Sequence, residues 1–174
     1  IRCKKVVDNF SVNKVLHGQL NDLTREFNTT YMNSQIDLIR GLIEKHPLDA
    51  IGKAKELMES CFKSVLGNQG TKIDKNWDLP QLSKNACKIL SLSPDDVADG
   101  KATSESVKKI LGGLAAITTG VSEIRNLHGS GHGKIMNYKG LSQRHSRLVV
   151  GSALTSVQFI WETYLEQKEK GLVK

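Results

Sequence analysis

The segment IRNLHGSGHGK, residues 124–134, combines residue types that can act on a phosphodiester. Arg125 and His132 have six residues between them, and Asn126 follows the arginine directly. An arginine can hold a phosphate by two donors and stabilise the charge that builds on it, and a histidine can move a proton near neutral pH. With the 2′-hydroxyl of RNA as the nucleophile, this pair predicts RNA cleavage that requires no metal.

The spacing alone is weak evidence for such a site. With six arginines and five histidines in the chain, about half a match with a gap of four to six residues is expected by chance. Arg40 and His46 form such a match. Arg40 lies inside a predicted helix and His46 precedes Pro47 at a helix junction, so we interpret that pair as surface or packing residues.

The surroundings of Arg125 are different. Glycines at 129, 131 and 133 follow it and give the backbone access to conformations that other residues avoid. Such a turn can present side chains and N–H groups to a phosphate. The alternative interpretation is a helix C-cap followed by a flexible turn.

Two other kinds of site fit the segment less well. His128 and His132 are four residues apart, as in helical zinc pairs, but the glycines disfavour a helix there and no third ligand of Cys, Asp or Glu stands nearby. Ser130 lies between the two histidines without a recognisable nucleophile elbow or acid partner. We therefore expect neither a metal nor another cofactor.

The net charge of the chain favours an acidic partner. The 174 residues carry a charge of +7, and a basic domain of this size has nucleic acid as its first candidate. The alternative is that scattered lysines only keep the surface soluble. No apolar run is long enough to span a membrane, so we expect no membrane partner.

Cysteine usage favours a reducing compartment. Cys3, Cys61 and Cys87 form no CxxC and are odd in number, which does not suit a disulfide framework. The start IRCKKVVDNF also lacks the apolar stretch of a signal peptide, and we expect a cytoplasmic protein. Cys61 and Cys87 stand at apolar-periodic positions and are predicted to lie in the core.

Apolar residues recur at helical spacing through most of the chain, and no alternating strand pattern of useful length occurs. The predicted helices cover residues 11–27, 33–46, 47–67, 79–90, 104–129 and 141–171. This pattern predicts an all-α bundle of five to six helices. The last two long helices flank the glycine-rich turn and are expected to pack antiparallel, as a hairpin.

Helix 104–129 has an unusually small side, formed by Gly112, Gly113, Ala115, Ala116 and Gly120. A glycine inside a helix costs about 1 kcal/mol relative to alanine. We expect a close approach by another helix to compensate for this cost.

Three segments carry a family resemblance: DAIGKAKELMESCFKSVLG at 49–67, ILGGLAAITTGVSEIRNLHGSGHG at 110–133 and RHSRLVVGSALTSVQFIWETYLE at 144–166. Over residues 45–167 the chain resembles the abortive-infection C-terminal domain of bacteria, which in turn is similar to the HEPN superfamily. These are small helical bundles, many of them metal-independent ribonucleases of toxin–antitoxin and phage-defence systems. Their motif is Arg, four to six residues and His, often with a polar residue after the Arg, and Arg125, Asn126 and His132 match it.

The resemblance implies a HEPN-like fold and an endoribonuclease that acts as a homodimer, with two copies of the motif building one cleft. Arg125 would bind the scissile phosphate, His132 would act as general acid or base, and Asn126 would orient one of them. An antitoxin or a larger defence complex is a further implied partner. The expected RNA contacts are His128, Lys134, Arg144, His145 and Arg147. For the last three of these, ordinary surface charge is the alternative.

The alternative function is a non-catalytic dimerisation or RNA-sensing module of an antiviral defence protein, because the same charge and fold would serve it. A structural helical protein without a nucleic-acid role is a third interpretation. Residues 1–44 lie outside the resemblance and are predicted to form an N-terminal helical extension. Residues 45–174 are then the abortive-infection C-terminal domain.

Overall fold

The structure, a computed structural model, describes residues 12–27, 30–43, 45–96, 102–128 and 141–174. These ranges contain six α-helices, one 3₁₀ turn at Pro94–Asp96 and no strand. In chain order the helices are α1 (Val12–Glu26), α2 (Thr30–Leu42), α3 (Pro47–Asn68), α4 (Leu79–Ile89), α5 (Ala102–His128) and α6 (Gln143–Glu169). The predicted all-α class with five to six helices is confirmed.

The local sequence explains where α3 and α4 begin. Pro47 stands at the start of α3, where its fixed φ suits a helix and its missing N–H leaves no bond unmade. A capping box opens α4: the Asp78 carboxylate accepts from the Gln81 N–H at 2.9 Å, and the Gln81 side chain accepts from the Asp78 N–H at 2.8 Å. Between them Gly70 adopts a φ of 72°, which turns the chain at little steric cost.

Helix α3 lies at the centre of the bundle and packs against α2, α4, α5 and α6. Its most extensive contact is with α6. The buried residues of α3 are Ala50, Ile51, Ala54, Leu57, Met58, Cys61, Phe62, Val65 and Leu66. Apolar burial of this kind is the main stabilising contribution in a small domain. The α3–α6 pair is therefore the scaffold against which α5 packs.

The first two helices share this core. The eight buried large apolar side chains of residues 12–43 are Leu16, Leu20, Leu23, Phe27, Met32, Ile36, Ile39 and Ile43, and all belong to the cluster formed with α3 and α6. The Phe27 ring lies 4.6 Å from the Trp161 ring, centroid to centroid. Residues 12–43 therefore contribute to the same core as the rest of the chain, and the domain boundary between residues 44 and 45 stays a prediction.

The two long helices form the predicted antiparallel hairpin. Ile117, Val121 and Ile124 of α5 line a small cleft together with Leu148 and Ser152 of α6. The C-terminal end of α5 therefore lies beside the N-terminal part of α6.

No described residue packs closely on the small side of α5. A methyl group added at Gly112, Gly113 or Gly120 would meet no atom of the described residues within 4 Å. The expected close approach of another helix is therefore not found among the described residues of a single copy. The physical reason is that α5 turns this side outward and buries Leu111 and Val121 instead.

The cysteine predictions can be assessed for two of the three residues. Cys61 is buried and Cys87 is half-buried against the core, whereas Cys3 lies outside the described residues. In the part of the chain that the structure describes, no helix combines the length and the apolar character needed to cross a membrane.

Candidate nucleic-acid interface

Arg125 and Asn126 occupy the last turn of α5, and both are exposed. Among the described residues, the Arg125 side chain forms neither an ion pair nor a hydrogen bond. Its guanidinium therefore keeps its full set of five N–H donors for an external acceptor. Leu127 beside them is 69% exposed, so this end of the helix also presents an uncovered apolar side chain.

The start of α6 carries the other described cationic residues of the predicted site. Arg144 and His145 are exposed, and Arg147 is half-buried. The Ser142 hydroxyl lies 2.8 Å from His145 Nδ1. This hydrogen bond fixes the orientation of the imidazole ring and leaves its Nε2 for a further partner.

The first turn of α6 has the charge pattern of an anion-binding helix end. It contains no acidic residue, and Ser142 at the N-cap makes no side-chain bond to the first amides. Positive side chains near a helix N-terminus oppose the helix dipole, whereas an anion there stabilises it by about 0.3–1 kcal/mol. A phosphate bound here would offset the repulsion among the dipole, Arg144 and His145.

The two groups of residues lie at the same end of the hairpin. Ile124 of α5 lines a cleft with Leu148 of α6. Arg125 follows Ile124 directly, and Arg144 precedes Leu148 by about one helical turn. The structure thus brings the Arg125 end of α5 and the Arg144 end of α6 together, as the predicted site requires.

A feature that motif reasoning missed is the absence of carboxylates from the segment of sequence that carries the site. Residues 124–161 contain five Lys or Arg and three His, but no Asp or Glu. Five of the seven net positive charges of the chain therefore fall in this stretch. Lys139 is one of them and was not among the predicted site residues. Counting charges by segment, rather than over the whole chain, would have found it.

The competing pair at Arg40 and His46 has an ordinary structural role. The Arg40 guanidinium donates to Asp37 Oδ1 at 2.5 Å and to Asn21 Oδ1 at 3.0 Å, which ties α2 to α1. His46 is exposed at the N-cap of α3 and makes no side-chain cap bond. The interpretation of these two residues as packing and surface residues is confirmed.

The structure does not describe the side chains of three predicted site residues. His132 and Lys134 lie outside the described residues, and His128 is described only as the last residue of the α5 backbone. Their roles stay predictions. Across the residues that are described, no group of three His, Cys, Asp or Glu side chains could hold a metal ion.

Comparison with known proteins gives one match. The family model Abi_C, described as a HEPN-like domain, matches residues 29–164. The matched range includes Arg125, His132 and most of α6, and it begins before α2, so that α1 precedes it. No curated protein and no solved structure matches the chain.

Proposed function

We propose that this chain, which belongs to the abortive-infection C-terminal family of HEPN-like domains, is a metal-independent endoribonuclease of bacterial antiviral defence. The observation that supports this most is the arrangement at one end of the hairpin. The end of α5 that carries unpaired Arg125 lies beside the N-terminal part of α6, which carries Arg144 and His145, and the sequence from 124 to 161 contains no carboxylate. Such a surface suits the phosphates of a nucleic acid.

In the proposed reaction, the 2′-hydroxyl oxygen of RNA attacks the neighbouring phosphorus and the bond to the 5′-oxygen breaks. Arg125 binds the non-bridging oxygens and stabilises the charge that develops on them. His132 takes the proton from the 2′-hydroxyl or donates one to the leaving 5′-oxygen. The products are a 2′,3′-cyclic phosphate and a 5′-hydroxyl.

A homodimer would place two copies of the motif in one cleft. The uncovered small side of α5 supports this part of the proposal, because Gly112, Ala116 and Gly120 recur every four residues and so share one side of the helix. The exposed Ile110 and Leu127 add apolar area to the same helix. In the dimer, one His132 can act as the base and the other as the acid.

The test is an RNA cleavage assay with analysis of the end groups. Arg125→Ala and His132→Ala should each lower the cleavage rate by about 10²–10⁴, the usual cost of losing proton transfer or a charge-stabilising donor. DNA, and RNA with a 2′-O-methyl at the cut site, should resist cleavage because the nucleophile is absent or blocked. Cleavage of DNA, or full activity of His132→Ala, would contradict the mechanism.

Two matched control variants distinguish the loss of a site residue from a general loss of positive charge. Arg25→Ala removes an equally charged arginine that is 77% exposed and paired only with Asp22, at 3.1 Å. His46→Ala removes an exposed histidine of the competing pair. Both variants should cleave RNA at the wild-type rate.

Chelators should leave the cleavage rate unchanged, since the 2′-hydroxyl needs no metal to act as the nucleophile. The measurement is the rate before and after dialysis against EDTA. Activity that EDTA removes and zinc or magnesium restores would replace this mechanism with a metal-dependent one.

The second candidate function is an RNA-binding or dimerisation module without catalysis. Arg125, Arg144 and Arg147 carry no ion pair among the described residues, and unpaired arginines can contact phosphates without any proton transfer. Growth of bacteria that express the wild type or His132→Ala distinguishes the two. Toxicity of the wild type alone favours the nuclease, whereas equal growth favours the module.

A further inference from the structure

A pocket of about 550 Å³ lies between α1, α5 and α6. Its lining residues are Leu16, Gln19, Ile117, Arg144, Arg147, Leu148, Gly151, Ser152 and Thr155. Ligand pockets of small molecules typically measure about 300–1,000 Å³ and are mostly apolar with a few polar groups. This pocket has both properties.

The charges around the pocket have one sign. Arg144 and Arg147 line it, none of the described lining residues is acidic, and neither arginine has an ion pair within the described part of the chain. The two arginines are three residues apart on α6, so their like charges repel each other. A bound anion would remove that repulsion.

Arg147 supplies a second, independent observation. Its Nε is buried and has no hydrogen-bond acceptor among the described residues. Its only described bond is from Nη2 to Gln143 Oε1, at 3.5 Å, which is long. A buried donor that lacks an acceptor costs free energy, and a turn of the Arg147 side chain toward an acceptor bound in the pocket would remove this cost.

The pocket depends on α1, which precedes the matched family range. Gln19 of α1 donates from Nε2 to Thr155 Oγ1 of α6 at 3.1 Å and holds the two helices together at this point. Leu16 forms an apolar wall opposite Gly151, where a side chain is absent. The pocket is therefore a property of this chain's N-terminal helix together with the family domain.

We propose that this pocket binds a small organic anion, with an apolar body against Leu16, Ile117 and Leu148 and a phosphate, sulfonate or carboxylate group held by Arg144 and Arg147. Arginine suits such groups because its planar fork donates two parallel hydrogen bonds. Arg144 and Arg147 are also expected RNA contacts, so the bound anion competes with RNA for them. The binding itself does not depend on RNA cleavage and is measured without RNA.

The probe is 8-anilinonaphthalene-1-sulfonate, which combines an apolar body with one anionic group and fluoresces in apolar surroundings. The wild type should show one saturable site. Arg144→Gln and Arg147→Gln should each weaken binding roughly tenfold or more, the usual effect of losing a charge-assisted hydrogen bond. Arg25→Gln is the control, because it makes the same charge change outside the pocket and should bind as the wild type does.

A second pair of variants tests the shape of the pocket. A methyl group at Gly151 would lie 3.2 Å from Leu16 Cδ2, so Gly151→Ala narrows the pocket. This variant should weaken binding of the probe several-fold. Gly18→Ala makes the same change in α1, where nothing lies within 4 Å, and should leave binding unchanged. Circular dichroism checks that each variant is folded. If Arg147→Gln lowers the stability of the fold, Arg144→Gln still tests the proposal, because Arg144 is exposed and its replacement leaves the core unchanged. Absence of a saturable site, or undiminished binding in Arg144→Gln and Gly151→Ala, overturns the proposal.

Discussion

Arg125 and His132 perform separate parts of one chemical step in the proposed mechanism. Their effects on the rate should therefore not add, because residues that act as a unit lose most of the acceleration when either one is removed. We expect the double variant Arg125→Ala/His132→Ala to cleave RNA only slightly more slowly than either single variant. Single-turnover rates with saturating enzyme measure this. A double variant whose loss equals the product of the two single losses would show that the residues act independently.

The two described thiols make a second prediction at this scale. Burial raises the pKa of the Cys61 thiol far above its usual range, with a further rise from nearby Cys87. Burial also raises the pKa of Cys87, although a hydrogen bond with Ser83 lowers it in part. In the unfolded chain both thiols ionise from about pH 8.5. The folded state keeps them neutral, so their contribution to stability is present below that pH and is lost as the pH rises above it.

The melting temperature should therefore fall as the pH rises from about 8 to 9.5. The variant Cys61→Ala/Cys87→Ala is expected to melt lower at neutral pH, because buried volume is lost, but to show a smaller decline over the same pH range. Thermal melts followed by circular dichroism measure both effects. An equal decline in the two proteins would assign the pH dependence to other groups.

The small side of α5 carries the prediction that belongs to the helices. Ala116 is exposed and lies between Gly112 and Gly120 on the side that a second copy would cover. Ala116→Trp should shift the protein from dimer to monomer without changing its melting temperature as a monomer. Arg25→Trp is the control, because Arg25 is also exposed but lies on α1, outside the small side of α5. Sedimentation at tens of micromolar measures the state, and a wild-type monomer there would contradict the shared cleft.

Most helix positions could be predicted from sequence, and the reasons are local. Pro47 and the Asp78–Gln81 box mark helix starts by their own chemistry. The start of α2 was predicted at residue 33, but the helix begins at Thr30, where no proline or capping box marks it. Whether the small side of α5 faces the core or the outside could not be predicted. Small residues indicate a close approach by another helix, but they do not show whether that helix belongs to the same chain or to a second copy.

The site could be predicted in part for similar reasons. The hairpin follows from a short connection between two long helices, and it brings Arg125 and Arg144 to one end. The pocket beside Arg147 could not be predicted, because it needs Leu16 of α1 to lie against Gly151 of α6. Periodicity shows that both helices have an apolar side, but it does not show which helices face each other.

At the scale of the whole molecule, residues 12–43 should be required for a stable fold. Each buried large apolar side chain contributes about 1.5–3 kcal/mol, and eight of them lie in this part of the chain. Removing these side chains would also expose the apolar surfaces of α3 and α6 against which they pack, and the total stability of a domain is only about 5–15 kcal/mol. A fragment of residues 45–174 should therefore fail to melt cooperatively, whereas 12–174 should melt as the full chain does. Calorimetry measures this, and equal melting of the two fragments would support a domain that begins at residue 45.

The bond between Gln19 and Thr155 joins residues that are 136 positions apart. During synthesis, α1 leaves the ribosome long before α6 exists, so the part of its apolar side that packs on α6 stays in water until the last helix is made. Closing so long a loop costs conformational entropy before the contact contributes any favourable free energy. Docking of α1 is therefore a late event in folding, and the nascent chain exposes a leucine-rich surface of the kind that general chaperones bind.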